Sequence, residues 1–167
     1  NGGNWEKKTY KDRVDEIKKA LIHIDVDEVI VGAIQDGYLK HDPDTIDFLS
    51  NIIKKYSIDT VLCQYYKDTH QDHVNLGLNT LSIATSCKNL IFYESLTSTE
   101  FVPNYYIDIS KYEIDKKNVL KEYVSQIEKY KNRNQDLLSY IDAKDKINGI
   151  KSHVDYAEGF IINKMVQ

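Results

Sequence analysis

Cysteine, proline and glycine are scarce in these 167 residues, with two Cys, two Pro and seven Gly. So few turn-formers exclude collagen-like and low-complexity chains, and 41% hydrophobic residues exclude disorder as the main state. Cys63 and Cys87 sit in apolar surroundings without CxxC spacing, which argues against a zinc ribbon or disulfide framework and for two buried thiols. Long apolar runs are also missing: the longest, such as residues 28–34, fall far short of the ~20 residues of a bilayer span. The opening Asn1-Gly-Gly-Asn-Trp5 has no cationic-then-apolar signal pattern, so a soluble, cytoplasmic protein is expected. There is no basic excess either, since 22 Lys and Arg stand against 26 Asp and Glu for a net charge of -4, with both signs interspersed. Nucleic acid is not an expected partner. No G-x-G-x-x-G or P-loop follows any apolar run, which speaks against a nucleotide-binding protein.

What is present alternates in period. Val14, Ile17, Leu21 and Ile24 recur at helical spacing, and residues 28–34 then read as a buried strand ending in Gln35-Asp36-Gly37. His41-Asp42-Pro43 supplies an Asp cap with Pro in the first turn, and Ile46, Leu49, Ile52, Ile53 and Tyr56 continue a second helix. Strands are predicted at residues 60–63 and 89–93, with a helix over 72–86 between them and another strand at 105–109. Ser110-Lys-Tyr-Glu113 reads as a capping box opening a long helix, and the tail from residue 132 reads as helical but poorly patterned. Strands separated by helices imply βαβ crossovers. The expected architecture is α/β: a Rossmann-like, doubly wound, mainly parallel sheet with helices on both faces, residues 1–167 forming one unit.

In such sheets ligands bind beyond the carboxyl ends of the strands. Of the loops there, residues 65–73 stand out, because Asp68, His70, Asp72 and His73 crowd two imidazoles and two carboxylates at a helix entry. A neutral imidazole is a good zinc ligand, and a carboxylate accepting its second N–H fixes the tautomer, a duty open to Asp68 and Asp72. The competing reading has the two aspartates capping the helix and the histidines solvated. His23, His41 and His153 lack such neighbours and read as structural or solvated. Of the thirteen tyrosines only Tyr65, Tyr66 and Tyr93 adjoin the expected pocket.

The string Asp68-Thr-His70-Gln-Asp72-His73 after an apolar strand resembles the His-x-Asp-His motif of the LmbE-like, PIG-L type zinc-dependent de-N-acetylases. Arg13-Val-Asp-Glu16, Asp36-Gly37, Tyr93-Glu94, residues 101–109, Ser125-Gln126 and Tyr156-Ala-Glu158-Gly-Phe160 are similar to family signatures in family order. The resemblance implies a hydrolase that removes acetyl from an N-acetylglucosamine-containing substrate with Zn2+. It implies His73 on the metal, His70 assisting the oxyanion, Asp72 orienting His70, and Arg13 and Asp36 contacting the sugar. For Arg13 an ion pair with Asp12, Asp15 or Glu16 is the competing reading. Tyr123 departs from the family, which often has His at that place. The family's His-Pro-Asp-Asp-Glu motif, with two further zinc ligands and the general base, does not occur in residues 1–167. An N-terminally incomplete portion of a longer protein is therefore expected, together with a homo-oligomeric state. The alternative is an inactive member acting as a carbohydrate-binding or interaction protein.

Overall fold

The computed structural model describes residues 8–32 and 34–166. In chain order these form α1 (Lys8–Ala20), α2 (Pro43–Tyr56), β1 (Thr60–Gln64), α3 (Gln71–Ser82), β2 (Asn89–Tyr93), β3 (Tyr105–Asp108), α4 (Glu113–Lys121), α5 (Val124–Lys131), α6 (Leu137–Ser152) and β4 (Ala157–Lys164). Single 3-10 turns follow α1 at Leu21–His23 and α3 at Ala84–Ser86. Two compact units result: one holds the described residues up to Val31 with Asp108–Glu158, the other Gly32–Ile107 with residues 159–166. Among the described residues no helix is long and apolar enough to cross a membrane.

The second unit is built on a four-stranded sheet in the order β1-β2-β4-β3. β1 and β2 run parallel, with Thr60 opposite Asn89 and Gln64 opposite Tyr93, whereas β2 and β4 run antiparallel. The fold is thus α/β with a mixed sheet, not the mainly parallel one expected. The difference comes from β4, which lies in the tail expected to be helical and enters the sheet antiparallel to β2. Leu90 and Phe92 of β2 are fully buried and form the centre of a core with Cys63, Tyr65 and Cys87, on which Leu76 and Leu81 of α3 pack. Both thiols are free and buried, as their surroundings suggested.

Two expected elements need correction or refinement. Over the described part of residues 28–34 there is no strand, and Val29, Ile30, Val31 and Ile34 are exposed: apolar composition alone does not make a strand where no ladder hydrogen bonds form. The second helix begins where Asp42 and Pro43 place it, with the Asp42 carboxylate accepting from Thr45 N–H at 2.9 Å. It ends at Ser57 in the left-handed conformation.

α3 lies hard against the chain leaving β1. A Cβ on Gly77 would stand 2.7 Å from Tyr66 Cβ and 2.8 Å from its Cα. Those are backbone-anchored atoms that cannot swing aside, so Gly77→Ala is expected to lower stability by about 1–3 kcal/mol through overpacking. Urea denaturation checks it; an unchanged midpoint would mean that helix and segment shift apart freely.

In the first unit, the Glu16 carboxylate of α1 is buried and accepts from both Ser125 N–H (2.6 Å) and Ser125 Oγ (2.8 Å). It thereby caps the first turn of α5. That capping accounts for the break at residues 122–123, where one long helix was expected. The expected capping box at Ser110 does not form: Ser110 Oγ donates to Asp108 at 2.6 Å, and α4 starts at Glu113 without a side-chain cap. α4 and α6 are joined by ion pairs, Lys116 with Asp145 (2.7 Å) and Lys117 with Asp142 (2.7 Å). The tail is helical only to Ser152; the strand β4 after it was missed.

Candidate functional site

The site belongs to the second unit and is assembled from the loops at the carboxyl ends of the parallel pair β1 and β2. These loops are zipped together: Tyr65 N–H donates to Tyr93 O (2.9 Å), Thr69 N–H to Thr97 O (3.0 Å) and Thr99 N–H to Lys67 O (2.8 Å). Tyr65 itself is buried against Tyr66, Phe92 and Phe101, so it is core and not pocket lining.

Asp68 is the hub, and its side chain has no exposed surface. One oxygen, Oδ1, accepts from His70 N–H at 2.7 Å, closing a local turn two residues ahead. The other, Oδ2, accepts from Ser95 Oγ (2.5 Å) and Ser98 Oγ (3.1 Å) and lies 3.1 Å from His73 Nδ1. Burial works against the charge on this carboxyl. The hydroxyls of Ser95 and Thr97, the His70 N–H and the His73 ring outweigh it and hold the pKa down at about 2. An ionised carboxylate only accepts, so the contact with His73 requires a proton on Nδ1 and leaves the lone pair of the neutral ring on Nε2.

His70 is in the opposite state. It is the N-cap of α3, and its Nδ1 accepts from Asp72 N–H at 3.3 Å, which puts the proton of the neutral ring on Nε2. The two imidazoles stack at 4.6 Å between ring centres and 24° between planes. His70 Nε2 stands 3.8 Å from Asp36 Oδ1, whose side chain is 78% exposed. An open cleft of about 340 Å³ is lined by Asp36, Gly37, Thr69, His70 and Gln71.

Of the residues expected here, the structure brings Asp36, His70, Asp72 and His73 together. Arg13 lies in the other unit and pairs with Glu16 at 3.7 Å. Asp72, expected to orient His70, instead directs its carboxylate to Gly37 N–H (2.6 Å) and Leu39 N–H (3.2 Å). Of the two aspartates open to the duty of fixing an imidazole, Asp68 takes it, for His73; the residues overlooked as site members are Ser95, Thr97 and Ser98. The Asp68-x-His70 spacing signals the local turn, but nothing in the sequence ties the hydroxyl-rich stretch 95–98 to it.

A metal ion finds suitable donors in this region. Asp36, His70 and Asp72 each offer a ligand atom, all within 4.8 Å of one another. An imidazole such as His73, its second nitrogen pinned by a buried carboxylate, is the other donor that fits a divalent cation.

The model of the PIG-L family, described as GlcNAc-PI de-N-acetylase, matches residues 1–84, half of the chain. The chain belongs to the PIG-L family. Solved structures agree with this PIG-L chain in fold. The conserved protein TT1542 from Thermus thermophilus superposes with a TM-score of 0.78 at 20% identity, over 94% of this chain and 75% of that one. The N,N'-diacetylchitobiose deacetylase from Pyrococcus horikoshii gives 0.74 at 19%, over 96% and 68%. GalB, the 4-carboxy-2-hydroxymuconate hydratase from Pseudomonas putida, gives 0.74 at 17%, over 100% and 77%. That a hydratase shares this fold with a deacetylase moves the question of activity from the fold to the site.

Proposed function

We propose that this PIG-L chain contributes His73 and His70 to a zinc-dependent hydrolase that removes the acetyl group from an N-acetylglucosamine-containing substrate, one imidazole holding the metal and the other assisting the oxyanion. The observation that carries the reading is the opposite surroundings of Nδ1 in the two stacked imidazoles: His73 Nδ1 faces the buried Asp68 carboxylate, which leaves a lone pair to Nε2 of the neutral ring, whereas His70 Nδ1 accepts a backbone N–H, which leaves an Nε2–H. A ligand and a hydrogen-bond donor are different tools, and amide hydrolysis uses both.

His73 is the metal donor in this reading, and Asp68 fixes its orientation. The competing trio of Asp36, His70 and Asp72 is the weaker set, because His70 Nδ1 and both Asp72 oxygens already hold backbone N–H groups. Zinc bound at His73 supplies Lewis acidity toward the amide carbonyl and a water of lowered pKa. His70 Nε2–H donates to the oxygen on which negative charge develops. Asp36, exposed at the cleft, accepts hydrogen bonds from sugar hydroxyls.

Acetate release from an N-acetylglucosamine glycoside, followed with zinc-supplemented protein, tests the reading. Release dependent on zinc is the expected result. Saturable sugar binding with no acetate formed would overturn it in favour of a carbohydrate-binding protein.

A further inference from the structure

Three side chains of α3, at positions 72, 75 and 79, reach one loop. Spacings of three and four residues place them along one side of the helix. Asp72 takes Gly37 N–H and Leu39 N–H, Asn75 Nδ2 donates to Leu39 O at 2.8 Å, and Asn79 Nδ2 donates to Lys40 O at 2.8 Å. Gln71 Nε2 adds a bond to Gly37 O. Five backbone groups of residues 37–40 are therefore held by helix side chains, not by a backbone ladder. Asn79 is fully buried, and Asp72 and Asn75 are half-buried, so these bonds are shielded from competition by water.

The loop depends on that support. Residues 34–41 contain no helix or strand, and Gly37 turns the chain at a φ of 83°, a conformation that glycine adopts without strain. Within the loop, Tyr38 N–H to Gln35 O at 3.0 Å closes the turn. What the turn delivers is Asp36, the carboxylate facing His70 across the cleft.

We infer that Asp72, Asn75 and Asn79 form a clamp that positions the Asp36 loop, and that Asp72 acts on substrate binding through the backbone of Gly37 and Leu39. A carboxylate suits position 72 because two N–H groups need acceptors and it offers one oxygen to each. An amide of the same shape would point its NH2 at one of them, leaving two donors face to face. Asp72→Asn is thus a sharp probe of the clamp.

Amide hydrogen exchange and steady-state kinetics on an N-acetylated amino sugar, for wild type, Asp72→Asn and Asn75→Ala, test the proposal. The kinetic half rests on the deacetylase reading; the exchange half does not. In the wild type both amides are expected to be protected. Asp72→Asn is expected to speed exchange at Gly37 or Leu39 about tenfold or more and to raise KM about tenfold, with kcat within a factor of about three. Asn75→Ala, which keeps the carboxylate, is expected to shift KM in the same direction by about two- to fivefold, and serves if the first variant fails to fold. Unprotected amides in the wild type, or a fall in kcat at constant KM in Asp72→Asn, would overturn the clamp; the latter would put Asp72 to work on His70. Absence of turnover in every form would sink the deacetylase reading alone, with the exchange rates still deciding the clamp.

Discussion

His73→Ala is expected to abolish both zinc retention and acetate release. The reason is the division of labour between the ring nitrogens: Nδ1–H is committed to Asp68, so Nε2 is the one donor His73 has to give, and alanine gives none. Removing the partner instead of the ligand is expected to do less. In Asp68→Asn the ring remains, but the amide has one accepting oxygen where the carboxylate has two, so its NH2 faces either His70 N–H or the Ser95, Ser98 and His73 side, and the charge that favours a proton on His73 Nδ1 is gone. The ring is then free to take the other tautomer, and a loss of about 10–100-fold in metal affinity or activity is expected. Zinc content per chain by elemental analysis, with acetate release on the same preparations, checks the ranking. Full zinc content in His73→Ala would transfer the metal to Asp36, His70 and Asp72, and His70 would then be the essential ligand.

How far the sequence reveals this site depends on how far apart the partners lie along the chain. Asp42 and Pro43 announce α2 because cap and first turn are neighbours, and the apolar runs at 60–63 and 89–93 announce β1 and β2 because the hydrophobic pattern is complete within each. The crowding of Asp68, His70, Asp72 and His73 is equally plain. The wiring among them is not. Asp72 and Asp68 are both carboxylates near the two imidazoles, and only three-dimensional structure shows that Asp72 turns to backbone 33 and 35 residues earlier while Asp68 takes His73 and two serines 27 and 30 residues later. The same limit applies to Val29, Ile30, Val31 and Ile34, which have the composition of a strand but are exposed and unpaired with the sheet. It also explains the helix break before α5, which is imposed by a Glu16 that sits 109 residues upstream of Ser125.

Replacing His70 by alanine removes two things at once, and a second substitution separates them. As N-cap, its Nδ1 satisfies Asp72 N–H at the start of α3; as cleft residue, its Nε2–H is the donor for the developing oxyanion. Loss of a single oxyanion donor costs about 10²–10³-fold in kcat, so His70→Ala is expected to fall by that factor with zinc retained. Some of that variant's defect will be structural, since losing an N-cap costs about 1 kcal/mol of stability. Asn is a good cap whose side-chain oxygen accepts from the first helical turn, but its side chain is too short to carry an N–H to the place of Nε2. His70→Asn is therefore expected to recover the melting temperature without recovering turnover. Thermal unfolding and kcat measured on the pair of variants tell the two duties apart. Turnover restored by asparagine would show that the imidazole serves only to start the helix. Turnover still absent in a fully stable protein would leave Nε2–H as the group the reaction misses.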